Sequence, residues 1–141
     1  MKPALQLVGK LFYRNFTSED YEIVKKWWLS RGEAVVKPEW LSSLGIVVEN
    51  ENGPACMTWL YISNSRMAQV GWTTTRPGLS PRDSHEAVMM AIESIQKLSQ
   101  NIGVTYLHSM CNKSGLTKVM KRLGFEKKDG YAYLAWGDNG N

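Results

Sequence analysis

Residues 104–136 read VTYLHSMCN (104–112), KSGLTKVMKRLGF (113–125) and EKKDGYAYLAW (126–136). In the middle piece Leu116, Val119, Met120 and Leu123 recur at i, i+3, i+4 and i+7, the spacing of one apolar helical stripe. Lys113, Lys118, Lys121 and Arg122 are left mostly toward water. Gly124 stands where a helix leaves through a left-handed residue, and Phe125 can fold back onto the last turn. The flanking segments TYLHSMC and YAYLAW are short, aromatic or apolar, and bounded by Gly103, Asn112 and Gly130, so each reads as a strand. Strand, helix, strand is the expected order.

The rest of the chain extends this pattern. LFYRNF at 11–16 reads as a first strand, and Thr17 with Asp20 three residues later resembles a capping box that opens a helix. Tyr21, Val24, Trp27 and Trp28 supply its apolar face until Arg31-Gly32. If the tandem tryptophans point about 100° apart, one of them is expected to be partly exposed. Pro38-Glu39-Trp40-Leu41 can start a short second helix. From Gly45 the period changes to strands: GIVVEN, a turn at Glu51-Asn52-Gly53, PACMTWLYIS, a turn at Ser63-Asn64-Ser65, and RMAQVGWTTT form a three-strand meander. After Arg76-Pro77-Gly78 comes the longest helix, reaching about Asn101, with Val88, Ala91, Ile92, Ile95 and Leu98 as its buried face. There is no internal repeat, low-complexity segment or linker, so residues 1–141 read as one α+β domain.

Size and composition agree. A chain of 141 residues can bury one core without staples, and its 43% hydrophobic and 21% charged residues are ordinary for a soluble globular protein. Cys56 and Cys111 have neither CxxC spacing nor clustered histidines, which points away from a metal site or a disulfide framework and toward a reduced, cytoplasmic setting. No apolar run reaches membrane-spanning length, and MKPALQLVGKLFYRN lacks the core of a secretory signal, so no membrane association is expected. The net charge of +4 is modest. Its clusters, at 118, 121, 122, 127 and 128 and at 25 and 26, read first as solvated faces, which leaves nucleic-acid binding the weakest reading.

The element order, together with NKSGLTKVMKRLGF, resembles the GNAT superfamily of N-acyltransferases over nearly the whole chain, including diverged single-domain members of phage type. The resemblance implies a mixed, mostly antiparallel sheet with helices on both faces. It also implies an acyl-CoA, in the first place acetyl-CoA, lying where the fourth and fifth strands of the family fold splay apart. The pantetheine would pair with the strand edge at Thr73, Thr74 and Thr75. The pyrophosphate would rest at the start of the long helix, across Ser80, Arg82, Ser84 and His85, with Asn112 at the end of the following strand. Helix starts suit phosphate because their first N–H groups are unpaired and the dipole end is positive.

This chain departs from the family there. Leu79-Ser80-Pro81-Arg82-Asp83-Ser84-His85 has no glycine, and Pro81 removes a donor. If Ser80 caps the helix with Pro81 in its first position, side chains consume the donors. If Asp83 caps with Glu86 closing the box, the loop 79–82 stays free and Arg82 can meet the pyrophosphate. The second register starts the helix near the family position and is preferred on that ground.

Amide formation by direct attack needs a deprotonated amine, a stabilised oxyanion and a proton for the leaving thiolate. Many family members donate that proton from a tyrosine on the last helix; the matching position here is Met120, whose thioether cannot donate. Replacement candidates are Tyr106 and His108, which alternate onto one face of their strand, and Tyr131 or Tyr133; an imidazole is suited to proton transfer near neutrality. Glu49 could take the amine proton through water, its alternative being a solvated carboxylate beside the hairpin turn. Cys111 reads as a small buried hydrophobe. Two functions follow: an N-acetyltransferase acting on an amine-bearing acceptor, or a catalytically inactive GNAT-fold binding module with a protein partner. A homodimer is compatible with either.

Overall fold

The structure is a computed structural model of the chain and describes residues 7–8, 10–110 and 114–126. Thr17 opens the first helical segment as expected: the Asp20 carboxylate accepts the Thr17 N–H at 2.9 Å. The box begins a 3-10 turn at Ser18–Asp20, which passes directly into α1 (Tyr21–Ser30). Both tryptophans of the tandem are buried, Trp27 at 5% and Trp28 at 4% exposure, which corrects the expectation of one exposed ring. The reason is tertiary. Helix α1 is covered on one side by the sheet, where Trp28 lies 6.2 Å from Trp59, and the following loop adds Val35, Val36 and Trp40 to the same cluster. Within that loop the short helix is a single 3-10 turn, Pro38–Trp40.

Among the described residues six strands stand side by side in chain order: β1 (Leu7–Val8), β2 (Leu11–Asn15), β3 (Gly45–Asn50), β4 (Gly53–Ile62), β5 (Met67–Thr75) and β6 (Tyr106–Ser109). All neighbours are antiparallel except β5 and β6, which run parallel because α2 (Pro81–Asn101) carries the chain back between them. The β1–β2 hairpin lies outside the sequence expectation. The final strand expected at 131–136, with Tyr131 and Tyr133, lies outside the described residues, as do Cys111 and Asn112.

The period-2 pattern sorts residues to two covered faces. Ile46 and Val48, with Cys56 and Leu60, pack under α2 and α3 (Ser114–Arg122), where Ile92, Ile95, Val119 and Met120 complete the core. Val47, Met57 and Trp59 face α1. Helix α3 ends as its sequence implies. Gly124 has φ +95°, its N–H bonds the Lys121 carbonyl at 3.1 Å, and the Phe125 N–H returns to Met120 O at 2.9 Å. These paired bonds satisfy carbonyls that the helix leaves open, and only a glycine takes that left-handed position without strain.

Candidate active site at the strand fork

Strands β5 and β6 are paired only from Met67↔Tyr106 to Val70↔Ser109. Beyond Val70, β5 continues through Thr75, whereas β6 stops at Ser109. A fork opens there, and along it residues 71–75 have no strand partner on the β6 side among the described residues. On its other edge β5 is irregular: Trp59 pairs with Gly71 and Met57 with Thr74, so Trp72 and Thr73 both stand against Thr58. This is a β-bulge beside the fork, a device that re-aims side chains and ends regular pairing. Trp72 adopts φ +59°, alone among the described non-glycine residues. A left-handed conformation in a bulky residue costs about 1–2 kcal/mol and persists only where surroundings hold it.

The three threonines lie along the fork, with their hydroxyls already engaged. Thr73 shares a 2.8 Å hydrogen bond with Thr58, while Thr74 and Thr75 accept from the two terminal nitrogens of Arg31 at 3.1 and 3.3 Å. What β5 offers to a ligand is therefore its backbone edge, with Arg31 beside it. Arg31 is the C-cap of α1 and is exposed, so its guanidinium stands beside the fork at the water-facing side.

At the start of α2 the Ser80 register is the one adopted, which corrects the preference for Asp83. Ser80 is extended, at φ −61° and ψ 155°, its Oγ accepts from the Asp83 N–H at 3.1 Å, and its carbonyl takes the Ser84 N–H at 2.9 Å. Pro81, with its fixed φ and missing donor, suits the first helical position and decides the register. Asp83 then falls in the first turn, where a carboxylate complements the dipole. Arg82 lies along the helix with its Nε 3.3 Å from Glu86 Oε1, rather than reaching over a free loop. His85 faces Arg122 at 3.5 Å. Of the first-turn donors, the Arg82 N–H is the one that neither the cap nor the proline removes.

Tyr106 and His108 share a face as expected, their rings 6.2 Å apart, in register with Met67 and Gln69. Tyr106 lies at the closed end and is exposed. His108 is half-buried and stands one register position before the fork opens. Glu49 needs correction: it is buried, not solvated. Arg14 donates from Nε to Glu49 at 2.5 Å and grips Asp20 with both terminal nitrogens, at 2.8 and 2.7 Å. Burial pushes the Asp20 carboxyl upward, but the bonds from Arg14 and the Thr17 N–H outweigh it and hold it below its ordinary value. The hydrogen bond that Arg14 donates to Asp20, joined by the one to Glu49, in turn raises the guanidinium against its own desolvation. Glu49 is thus part of a buried ion triad on β2, β3 and the α1 turn, closed to water. Met120 is 5% exposed and lies in the apolar core, while the Cys56 thiol, pushed up to about 12 by burial, is no nucleophile.

Three residues at the fork escape sequence reading: Arg31, Trp72 and Tyr61. Tyr61 lies across Gly71, where a Cβ would stand 3.1 Å from its ring, and its hydroxyl donates to Trp40 O at 2.7 Å.

No family model matches the chain, and no curated protein matches it in sequence. Solved structures match it in fold. A mutant of TTHA1254 from Thermus thermophilus aligns at TM-score 0.70 and 16% identity, over 90% of this chain and 98% of that one. Rv2747 from Mycobacterium tuberculosis, solved with CoA and NLQ, aligns at 0.69 and 12%, over 87% and 76%. An acetyltransferase of Trypanosoma brucei aligns at 0.66 and 12%, over 89% and 99%. The likeness establishes the GNAT fold, a mixed and mostly antiparallel sheet with helices on both faces.

Proposed function

We propose that the chain is an N-acyltransferase that takes an acetyl group from acetyl-CoA and passes it to an amine by direct attack. The observation that carries this reading is the fork between β5 and β6 with a bulge at its side, set in a fold shared with acetyltransferases and with a neighbour whose structure holds CoA. The free backbone edge at 71–75 is the seat for the pantetheine, and Arg31 supplies a cation at its far end. The Arg82 N–H, with the arginine side chain released from Glu86, is the remaining contribution of α2 to the pyrophosphate. In the reaction the amine nitrogen bonds to the thioester carbon, the C–S bond breaks, the amine loses one proton, and the CoA thiolate takes one. His108, next to the fork, is the group we assign to that proton traffic, in preference to Tyr106 at the closed end and to the ion-paired Glu49.

A specific observation favours the second reading, a GNAT-fold binding module without catalysis: Ser80 occupies the helix donors and Met120 is sunk in the core. Thermal melting with acetyl-CoA tests the cofactor. At 100-fold excess over Kd, a ligand of the native state adds about 2.7 kcal/mol and raises Tm by several degrees. No shift at millimolar acetyl-CoA refutes both the enzyme and its cofactor. A shift without thiol release across a panel of amines identifies the binding module.

A further inference from the structure

Beside the fork, one face of the sheet is left open. Tyr61, packed with the α1 cluster, is in register with Gln69, so the period of the strand puts Met67 on the same face. Tyr106 and His108 stand level with Met67 and Gln69 across the parallel pair. Helix α1 does not extend over this row. Its cluster takes Val47, Met57, Trp59 and Tyr61 from β3 and β4, and among the described residues no apolar side chain of β5 or β6 joins it. Met67 is accordingly 46% and Tyr106 52% exposed, while Gln69 and His108, one step nearer the fork, are half-buried. At the fork the row ends on Gly71, where the Tyr61 ring stands 3.1 Å from the place of a Cβ and forms the wall toward β4. Charge narrows what such a row can hold. Strands β5 and β6 carry no carboxylate, while Arg66 precedes β5 and Arg76 follows it. A second ammonium on an acceptor would find no counter-charge on these strands and a cation at either end of β5. A first ammonium is disfavoured too, since an uncharged, partly apolar surface favours the neutral amine, which is the form that attacks.

We propose that this row is the acceptor site and that its substrate class is a small aromatic monoamine, held with its ring against Tyr106 and Met67 and its amine beside His108. The proposal rests on the acyl-CoA reading above. Two residues of strand separate Tyr106 from His108, a step of about 7 Å, and their rings lie 6.2 Å apart. A two-carbon link between ring and amine spans such a step. The phenol of Tyr106 offers an aromatic partner and the thioether of Met67 a polarisable edge, both suited to a planar ring. From that seat the amine nitrogen bonds to the acetyl carbon at the fork, the C–S bond breaks, the amine proton passes to His108, and the CoA thiolate takes a proton. Tyr106 and Met67 then set specificity without touching the reacting atoms.

The test uses the full chain with acetyl-CoA and follows thiol release with five acceptors: 2-phenylethylamine, propylamine, putrescine, free lysine and a short peptide with an open N-terminus. In the wild type kcat/KM for 2-phenylethylamine should exceed that for each of the others by about tenfold or more, the scale of one phenyl group taken from water. Tyr106→Ala, and separately Met67→Ala, should lower the ratio of 2-phenylethylamine to propylamine about threefold to tenfold, the range of a single aromatic contact. Tyr106→Phe should keep the ratio, which separates a ring that recognises substrate from a hydroxyl that moves protons. Both positions are exposed, so the variants are expected to melt near the wild-type temperature. Turnover of putrescine, lysine or the peptide that equals or exceeds that of 2-phenylethylamine overturns the proposal while the acyl-transfer reading stands. An unchanged ratio in both alanine variants overturns it, as does a loss in Tyr106→Phe equal to that in Tyr106→Ala. If acetyl-CoA raises Tm but no amine releases thiol, acyl transfer itself fails and the acceptor assignment falls with it.

Discussion

Replacing Arg14 with methionine should be among the most damaging substitutions in the chain, and its cost should depend on pH in a direction set by the structure. Arg14 is the cation shared by Asp20 and Glu49, which are 4% and 6% exposed. Methionine fills much of the same volume, so the loss is electrostatic: two carboxylates remain buried without the Arg14 guanidinium. Removing one partner of a buried pair costs about 3–5 kcal/mol. With a urea m-value of about 2 kcal/mol per molar, the midpoint at pH 7 should fall by about 1.5–2.5 M. In the wild type the Asp20 pKa lies below its ordinary 3.8. Its contribution is thus fully present above that value and is lost as pH falls through the folded pKa. In Arg14→Met the bonds from Arg14 are gone and desolvation, the largest influence on Asp20, prevails, so the Asp20 carboxyl titrates above its unfolded value and the variant loses stability as pH rises through it. The gap between the two proteins must therefore narrow on going from pH 7 to about pH 4.5. The triple variant Arg14→Met, Asp20→Asn, Glu49→Gln, which removes these three charges, should recover much of the loss at pH 7. A loss below about 1 kcal/mol at pH 7, the scale of an exposed pair, or one that does not narrow at pH 4.5, would refute the buried-triad reasoning.

Gly45→Ala places a Cβ 2.7 Å from both Phe16 Cβ and the Trp59 ring, so urea unfolding should show a loss of about 1–3 kcal/mol; a neutral result would mean that Trp59 can shift. Ser80→Ala should cost about 1 kcal/mol and Ser80→Gly only a few tenths, the signature of an N-cap. Equal losses in the two would return the cap to Asp83. Arg31→Gln removes the charge next to Thr74 and Thr75 while keeping a donor. It should weaken acetyl-CoA binding about threefold to tenfold by titration calorimetry, and unchanged affinity would remove Arg31 from the site.

Where an element is stabilised by its own repeat, the amino-acid pattern sufficed to find it. Leu116, Val119, Met120 and Leu123 all pack on the core at helical spacing, Val88, Ala91, Ile92, Ile95 and Leu98 do the same on α2, and Gly53 turns the expected hairpin at φ +107°. The alternation in β4 was also readable, because both its faces are covered and each parity has its own helix. Strand β1 was not, since two residues, Leu7 and Val8, carry no period. The tandem tryptophans misled for a related reason. A helical projection places two rings about 100° apart but says nothing of the loop at 33–41 that arrives to cover the second.

The site was less legible than the fold because its decisive contacts are between residues far apart in the chain. Glu49 reads as a carboxylate near a turn; only the β2–β3 pairing brings Arg14 to it from 35 positions away. Arg31 sits 43 positions from Thr74, which it bonds, and a tryptophan held at positive φ contradicts every local preference of its residue type. At Ser80 the two capping registers differ by little in local energy, and the fixed φ of Pro81 tips the balance. These particulars have a common consequence for function. With most first-turn donors of α2 committed to Ser80 or removed by Pro81, and with Met120 unable to donate a proton, the parts of the chain that most resemble an acyltransferase offer the least to the proposed chemistry. On the proposed reading recognition shifts to the sheet, where the β5 edge left open among the described residues, the cation of Arg31 and the strained peptide at Trp72 lie at one fork, and where the stretch Trp72-Thr73-Thr74-Thr75 shows none of this in its letters.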